Sequence, residues 1–331
     1  SFSVTATGTG PLAYQWFKAG VALTGATNAT LDLPAVTTAQ AGSYTVRITG
    51  PQGSVTSAAA LLTVNAAPAG LTSRLSNVSV LATLGANQIM IVGVNVLGEA
   101  KPILLRAAGP SLTVLNVAGA MTDPHLTLYN GPNAVAFNED WAGNAEVVAA
   151  NAAFTGFPFS SSTSRDAAIV SSINGGRTLQ VAGPAAGIVL VEAYDAGTGN
   201  SSRLNNLSAR NYVGTGANIL IAGFTLTGSG TKTILIRAVG ARLATAPFNL
   251  TGVLADPKLA LFNSASEKIA ENDTWSSSLT STFSAVGAFS LTTGSKDAAL
   301  LVTLNPGGYT VQVSGANATT GQAIVEIYEV P

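Results

Sequence analysis

The chain has 331 residues, a mass of 33.1 kDa and a formal net charge of -1, and only 9% of its residues are charged. No basic stretch of the kind that binds nucleic acid is present, and no apolar run approaches the ~20 residues of a membrane-spanning helix. Cysteine is absent and histidine occurs once, as His125, which excludes disulfides, thiolate chemistry and multi-histidine metal sites. We therefore expect several domains, no nucleic-acid partner and no transmembrane segment.

Residues 1–66 alternate between apolar and polar positions, with turn-forming residues between the runs, which predicts short antiparallel strands. Trp16 stands in a Tyr-Gln-Trp strand, and Tyr44 in the run Ala-Gly-Ser-Tyr-Thr-Val. On these residues the segment resembles an immunoglobulin-like domain of the I-set type. The resemblance implies that Trp16 is a core residue, that Tyr44 forms a tyrosine corner, and that Val4 and Val46 occupy the positions of the family's disulfide.

The family's first strand has no match before Phe2, and the chain begins without Met. We expect a mature or truncated fragment whose first strand is missing, lies upstream or is supplied by a neighbouring chain. Residues 67–73 are predicted to be a short linker to the next domain.

The rest of the chain is a tandem duplication. A run Asp-Pro-x-Leu-x-Leu begins at Asp123 and again at Asp256, and an Asn-x-x-Trp run ends at Trp141 and again at Trp275. The segments between these motifs are short and β-branched, with frequent turns and one short helical stretch predicted within 144–153. We expect two tandem jelly-roll-like β-sandwich domains, repeat 1 at 74–199 and repeat 2 at 200–331.

The order of the motifs Asp-Pro-x-Leu-x-Leu, Asn-x-x-Trp, Asp-Ala-Ala and Val-Glu-x-Tyr resembles the bacterial pre-peptidase C-terminal (PPC) domain. The likeness covers about 123–195 and 256–329, the second half of each repeat. It implies a non-catalytic β-sandwich of secreted proteins, which in some members binds calcium or polymers.

The aspartates of the two repeats are the candidate metal ligands, because hard carboxylate oxygens on loops suit calcium. They are Asp123, Asp140, Asp166, Asp256, Asp273 and Asp297. The alternative is turn chemistry, in which an aspartate accepts hydrogen bonds from nearby main-chain N–H groups. No other cofactor is expected.

Arg106 and Arg237 lie in apolar strands, where an unpaired guanidinium would be very costly. We therefore predict a structural ion pair for each, with the repeat's own aspartates as partners: Asp166 or Asp123 for Arg106, and Asp297 or Asp256 for Arg237.

Trp141 and Trp275 are candidates for stacking against sugar rings. Because they recur at one place in both copies, a role in the core is the favoured alternative. Glu192 and Glu326 each stand alone in a strand, without the second carboxylate that glycoside hydrolysis needs.

These observations predict an all-β, three-domain protein: an immunoglobulin-like sandwich followed by two tandem jelly-roll-like domains. We expect no enzymatic activity and a bacterial protein that is secreted or held at the cell surface. The predicted role is structural or adhesive, as a subunit of a fibre, filament, stalk or layer that self-associates through strand edges or binds other surface proteins. The alternative is a polysaccharide-binding accessory region of a larger secreted enzyme.

Overall fold

A computed structural model describes residues 1–33, 40–63, 73–152, 154, 156–199 and 201–331. The chain divides into two compact units, Ser1–Gly70 and Leu71–Pro331. Strands account for 52% of the structure and helices for 11%, which confirms the predicted all-β fold class. Of the predicted linker 67–73, only Ser73 lies within the described residues.

The first unit is built from short antiparallel strands. They are β1 Phe2–Ser3, β2 Ala13–Lys18, β3 Val21–Ala22, β4 Thr30–Leu31, β5 Gly42–Gly50, β6 Gly53–Thr56 and β7 Ala60–Leu62. β1 pairs with β4, while a second sheet has the order β3-β2-β5-β6 with β7 also paired to β5.

The core of this unit lies around Trp16 and Tyr44, both of which are buried. The Tyr44 hydroxyl donates a hydrogen bond to the main-chain carbonyl of Gln40 at 2.7 Å, which is the contact of a tyrosine corner. Val46 is buried in the same cluster and Val4 packs against it. An apolar contact therefore occupies the positions where the immunoglobulin-like resemblance implies a disulfide.

The second unit contains the longer strands. The first copy supplies β8 Arg74–Leu84, β9 Met90–Ala108, β10 His125–Asn130, β11 Asn133–Asn138, β12 Ala167–Ala182 and β13 Gly187–Asp195. The second copy supplies β14 Arg203–Val213, β15 Leu220–Thr227, β16 Lys232–Val239, β17 Pro257–Asn263, β18 Lys268–Asn272, β19 Ala298–Leu304, β20 Gly307–Gly315 and β21 Gly321–Glu329.

Helices are short in both copies. The α-helices are α1 Ala145–Ala152, within the stretch where the sequence predicts one, and α2 Thr280–Ala285. Short 3-10 helices lie at Pro110–Leu115, Gly216–Asn218, Ala241–Ala244, Ser277–Leu279 and Ala316–Ala318. Among the described residues, no helix has the length and apolar character required to cross a membrane.

The strands of the two copies belong to one sheet. Its order is β18-β17-β20-β15-β8-β13-β9-β14-β21-β16-β19, with β12 also on β9, β10 on β12 and β11 on β10. Because β15 runs into β16 along the chain and also pairs with β8, the central strands close on themselves. This ring passes from β8 through β13, β9, β14, β21 and β16, and returns to β8 through β15, which precedes β16 in the chain.

The two copies pair with each other at two places, and the same two equivalent strands form each pairing. Val80 of β8 faces Ala222 of β15, and Ala209 of β14 faces Val92 of β9. In the sequence repeat Val80 corresponds to Ala209, and Val92 to Ala222. The copies are therefore related like the subunits of a two-fold symmetric dimer.

The predicted separation into two sandwiches at residue 200 does not match this arrangement. Alternate positions of β8 and β14 are buried in one apolar core that both copies line. A repeat marks two equivalent segments, but it does not indicate whether a strand's partner lies in its own copy or in the other. Here the first strand of each copy completes the sheet of the other.

Candidate functional site

Two equivalent buried clusters on the outer side of the sheet hold the arginines that the sequence analysis selected. Arg106 on β9 faces Glu192 on β13, and Arg237 on β16 faces Glu326 on β21. Both arginine side chains are at most 1% exposed. The partners are thus the glutamates of the Val-Glu-x-Tyr motif and not the predicted aspartates, because the glutamates stand directly opposite in the antiparallel register.

Aromatic rings surround each guanidinium. The Arg106 Cζ lies 4.2 Å from the ring centroid of Phe159 and 4.8 Å from that of Phe157. In the second copy the Arg237 Cζ lies 4.4 Å from the Phe289 centroid. The faces of these rings attract the cation electrostatically and so stabilise each buried charge.

A tyrosine completes each cluster. The Tyr194 hydroxyl donates to Oε1 of Glu192 at 2.6 Å, and the Tyr328 hydroxyl donates to Oε1 of Glu326 at 2.8 Å. Burial and the adjacent carboxylate raise the pKa of both tyrosines, so the phenols stay protonated as donors. Burial also raises the pKa of the Glu192 carboxyl, against the lowering by Arg106 and by the Tyr194 hydrogen bond. Each cluster holds a strand pair together beneath its covering loops.

Asp166 and Asp297 are fully buried and accept hydrogen bonds from neighbouring loops. Asp166 accepts from the main-chain nitrogens of Gly109 at 2.8 Å and Ser111 at 3.2 Å, and from the hydroxyls of Ser111 and Ser164. Asp297 accepts in the same way from the main-chain nitrogens of Gly240 and Arg242 and from the hydroxyl of Ser295. Donors therefore occupy both oxygens of each carboxylate.

The tryptophans are part of the same loop anchor. The main-chain nitrogen of Trp141 donates to the carbonyl of Asp166 at 2.9 Å, and that of Trp275 to the carbonyl of Asp297 at 2.8 Å. The ring N–H of Trp141 donates to Ser164 Oγ at 3.0 Å. The two side chains are only 7% and 8% exposed. The predicted sugar-stacking faces are consequently wrong for these residues, because the rings pack into the apolar clusters instead.

The asparagine of the Asn-x-x-Trp motif joins this anchor to the next strand. Asn138 accepts from the main-chain nitrogen of Ala168 at 2.8 Å and donates to the carbonyl of Asp140 at 3.0 Å. Asn272 makes the equivalent bonds with Ala299 and Thr274. The Asn-x-x-Trp and Asp-Ala-Ala motifs are thus two halves of one structural clip.

The side chains of the remaining predicted calcium ligands take no part in this clip. Asp123 forms an ion pair with Arg165 at 2.7 Å, and Asp256 is half-buried, its main-chain carbonyl accepting from Ala316. Asp140 and Asp273 are exposed. Within the described ranges, no group of three or more His, Asp or Glu side chains comes together to suit a metal ion. The predicted aspartates therefore do not form one ligand set, and calcium binding stays a prediction.

A second ion-pair cluster in each copy was missed by the sequence analysis. Asp195 at the end of β13 pairs with Lys101 at 2.9 Å and with Arg74. Glu329 at the end of β21 pairs with Arg203 at 2.7 Å and Lys232 at 3.2 Å. The detectable signal was recurrence, since each of these charges stands at the same place in both copies of a chain with few charges.

No protein-family model and no curated protein matches the chain. Among solved structures it is similar to the three N-terminal domains of the Highly Immunogenic Outer Capsid protein of bacteriophage RB49, at 15% identity and a TM-score of 0.19. That alignment covers 98% of this chain and 85% of the phage chain. The 11S allergen of Cocos nucifera aligns at 5% identity and a TM-score of 0.18, over 77% of this chain and 81% of the allergen. At these TM-scores neither likeness carries an argument about function.

Proposed function

We propose that this protein is a non-catalytic structural or adhesive component of an extracellular or cell-surface assembly, and that it associates through exposed strand edges. The observation that carries the proposal is the use made of the repeated motifs. Aspartate, asparagine, tryptophan, arginine and glutamate recur in both copies, and their side chains or main-chain groups hold strands and loops together. The residues that recur in both copies are therefore those that hold the scaffold together.

The differences between the copies support the second part of the proposal. Residues on the outer strands change from one copy to the other, from His125 to Lys258 and from Phe137 to Glu271, while the buried clips stay the same. Divergence at edges over a retained frame is expected where each edge meets a different environment, such as another chain on one side and solvent on the other.

The proposed location has support from composition and from the two resemblances. The chain has few charges, no cysteine and many Thr, Ser, Asn and Gly residues, a composition similar to that of secreted bacterial β-proteins. The I-set and PPC resemblances are to domains of secreted or surface proteins, and this supports the proposed location. An immunoglobulin-like unit that precedes a paired β-scaffold in the chain suits a stalk, layer or filament.

Assembly is tested by sedimentation velocity and negative-stain electron microscopy of the full chain over a wide concentration range. The proposal expects a concentration-dependent increase in size and regular dimers or longer assemblies on the grids. Particles that stay monomeric at high concentration by both methods would contradict it.

A cleft at the ends of β8 and β14 supports polysaccharide binding as a second candidate function. It has a volume of about 600 Å³, and its lining includes Gln88, Asn218, Gln322 and Tyr212 without a charged side chain. Tyr212 is 48% exposed and donates to Thr320 Oγ1 at 2.8 Å. Amides beside an accessible aromatic ring suit a neutral sugar.

Retention on insoluble polysaccharides tests this second function. Loss of retention in Tyr212→Ala but not in Tyr129→Ala, with unchanged melting temperatures, would favour it.

A further inference from the structure

β11 and β18 are edge strands that occupy equivalent positions in the two copies. β11 pairs with β10 and β18 with β17, and neither has another strand partner in the described part of the chain. Each therefore presents a row of main-chain N–H and C=O groups on its free side, which is the arrangement that accepts an added strand.

The β18 edge carries charges. Glu271 lies 2.7 Å from Lys268 and 3.8 Å from Lys258, and these side chains are about half exposed. Charged side chains, lysine above all, are a common protection of sheet edges because pairing would remove them from water. The edge of the second copy is consequently guarded against association.

The equivalent positions of β11 have no charge. Phe137 stands where β18 has Glu271, and Ala134 stands where it has Lys268. The Lys258–Glu271 ion pair is replaced by an aromatic contact, with the His125 and Phe137 ring centroids 6.0 Å apart. Phe137 is 61% exposed and Val135 54%. The unguarded edge thus also carries apolar side chains.

We propose that β11 is the association edge and that its partner is β11 of a second copy of this chain, paired antiparallel about a two-fold axis. The strand Asn133–Asn138 reads Asn-Ala-Val-Ala-Phe-Asn. Antiparallel self-pairing about its centre sets Asn133 against Asn138 and Ala134 against Phe137. Each pair joins two polar or two apolar side chains and none is charged. Self-pairing therefore places no like charges opposite each other.

Self-pairing of β18 in the equivalent register would set Lys268 against Glu271 of the other copy. These charges are opposite in sign, but they would lose water on pairing and already form an ion pair within one chain, so this edge gains less from association than β11. The two equivalent edge strands of one chain therefore provide their own comparison. This inference rests on the proposed function, because it specifies which edge the assembly uses.

The test compares the wild-type chain with the double variant Ala134→Lys/Phe137→Lys in sedimentation velocity. In the self-paired dimer this variant sets lysine opposite lysine at two places, whereas both positions are exposed in the single chain, so its melting curve should match that of the wild type. We expect the wild type to form dimers and the variant to raise the dimer dissociation constant about tenfold or more. Lys268→Ala/Glu271→Phe, which gives β18 the residues of β11, should add a second association edge and produce larger species.

The outcomes separate this inference from the proposed function. If the wild type and Ala134→Lys/Phe137→Lys assemble equally, β11 is not the edge, while assembly through another edge stands. If the wild type remains monomeric throughout, both the inference and the proposed function fail. If the variant does not fold, Val135→Lys, a single exposed change on the same strand, replaces it, and undiminished dimerisation of that variant overturns the inference.

Discussion

The Glu326 carboxylate accepts from Nε of Arg237 at 2.7 Å and lies 2.6 Å from its Nη2, whereas Glu192 lies 3.4 Å from Nε of Arg106. The duplicated ion pair is therefore tighter in the second copy. Both pairs are buried against aromatic rings, so the difference lies in geometry and not in exposure.

This difference predicts unequal coupling energies. Arg237→Ala leaves the buried Glu326 unpaired and should lower the free energy of unfolding by about 3–5 kcal/mol. Arg237→Met combined with Glu326→Leu should recover most of that loss, since an apolar pair removes both charges. Double-mutant cycles by urea unfolding should give the Arg237–Glu326 pair the larger coupling. Equal couplings, or a larger one for Arg106–Glu192, would contradict this account.

The raised pKa of Glu192 predicts a pH dependence of stability. A carboxyl whose pKa is higher in the folded than in the unfolded state, where it is about 4.3, binds its proton more tightly when folded. Its contribution is therefore fully present below pH ~4.3 and is lost as the pH rises through the folded value. Glu192→Gln removes this titration.

The measurement is urea unfolding of wild type and Glu192→Gln at acidic and at neutral pH. The variant should gain stability relative to the wild type as the pH rises. A relative gain by the wild type over the same range would show that the Arg106 charge, and not burial, dominates this carboxyl.

The Asp166 anchor predicts a large structural effect with a graded control. Asp166→Ala leaves the main-chain nitrogens of Gly109 and Ser111 without their acceptor and should cost about 3 kcal/mol or more. Asp166→Asn keeps one oxygen acceptor and should cost less. Thermal unfolding of both variants, with Asp140→Ala as the exposed control, checks the order, and a cost for Asp140→Ala equal to that for Asp166→Ala would contradict it.

The pairing between copies predicts that neither copy folds alone. A fragment of residues 73–199 loses the β14 and β15 partners of β9 and β8, and a fragment of residues 201–331 loses the reciprocal partners. Each should lack a cooperative unfolding transition, and an equimolar mixture should regain one. Cooperative unfolding of the 73–199 fragment as a monomer would contradict the shared core.

The sequence predicted the strand class and the duplication because alternation and repeated motifs are local signals. It also located the buried arginines, since a charge inside an apolar strand is conspicuous. It did not find Glu192 as the partner of Arg106, because that contact depends on the register of strands far apart in the chain. It missed the exchange of strands between copies for the same reason, since Val80 has an equally suitable apolar partner in either copy.

The tryptophans show a further limit. A recurring Trp suits a binding platform and a core residue equally well in sequence, and only the loop that covers Trp141 decides between them. The Asn-x-x-Trp and Asp-Ala-Ala motifs could be recognised as equivalent in the two copies. Their contact with each other, from Asn138 to Ala168, could not be predicted from spacing alone.

Hydrogen–deuterium exchange of the wild-type protein at low and high concentration tests the proposed edge association most directly, because β11 and β18 act as sample and control within one molecule. Added main-chain hydrogen bonds slow amide exchange. The account predicts that protection of residues 133–138 rises with concentration while that of residues 268–272 does not change. Exchange at 133–138 that is independent of concentration, or that changes in parallel with 268–272, would contradict association through this edge.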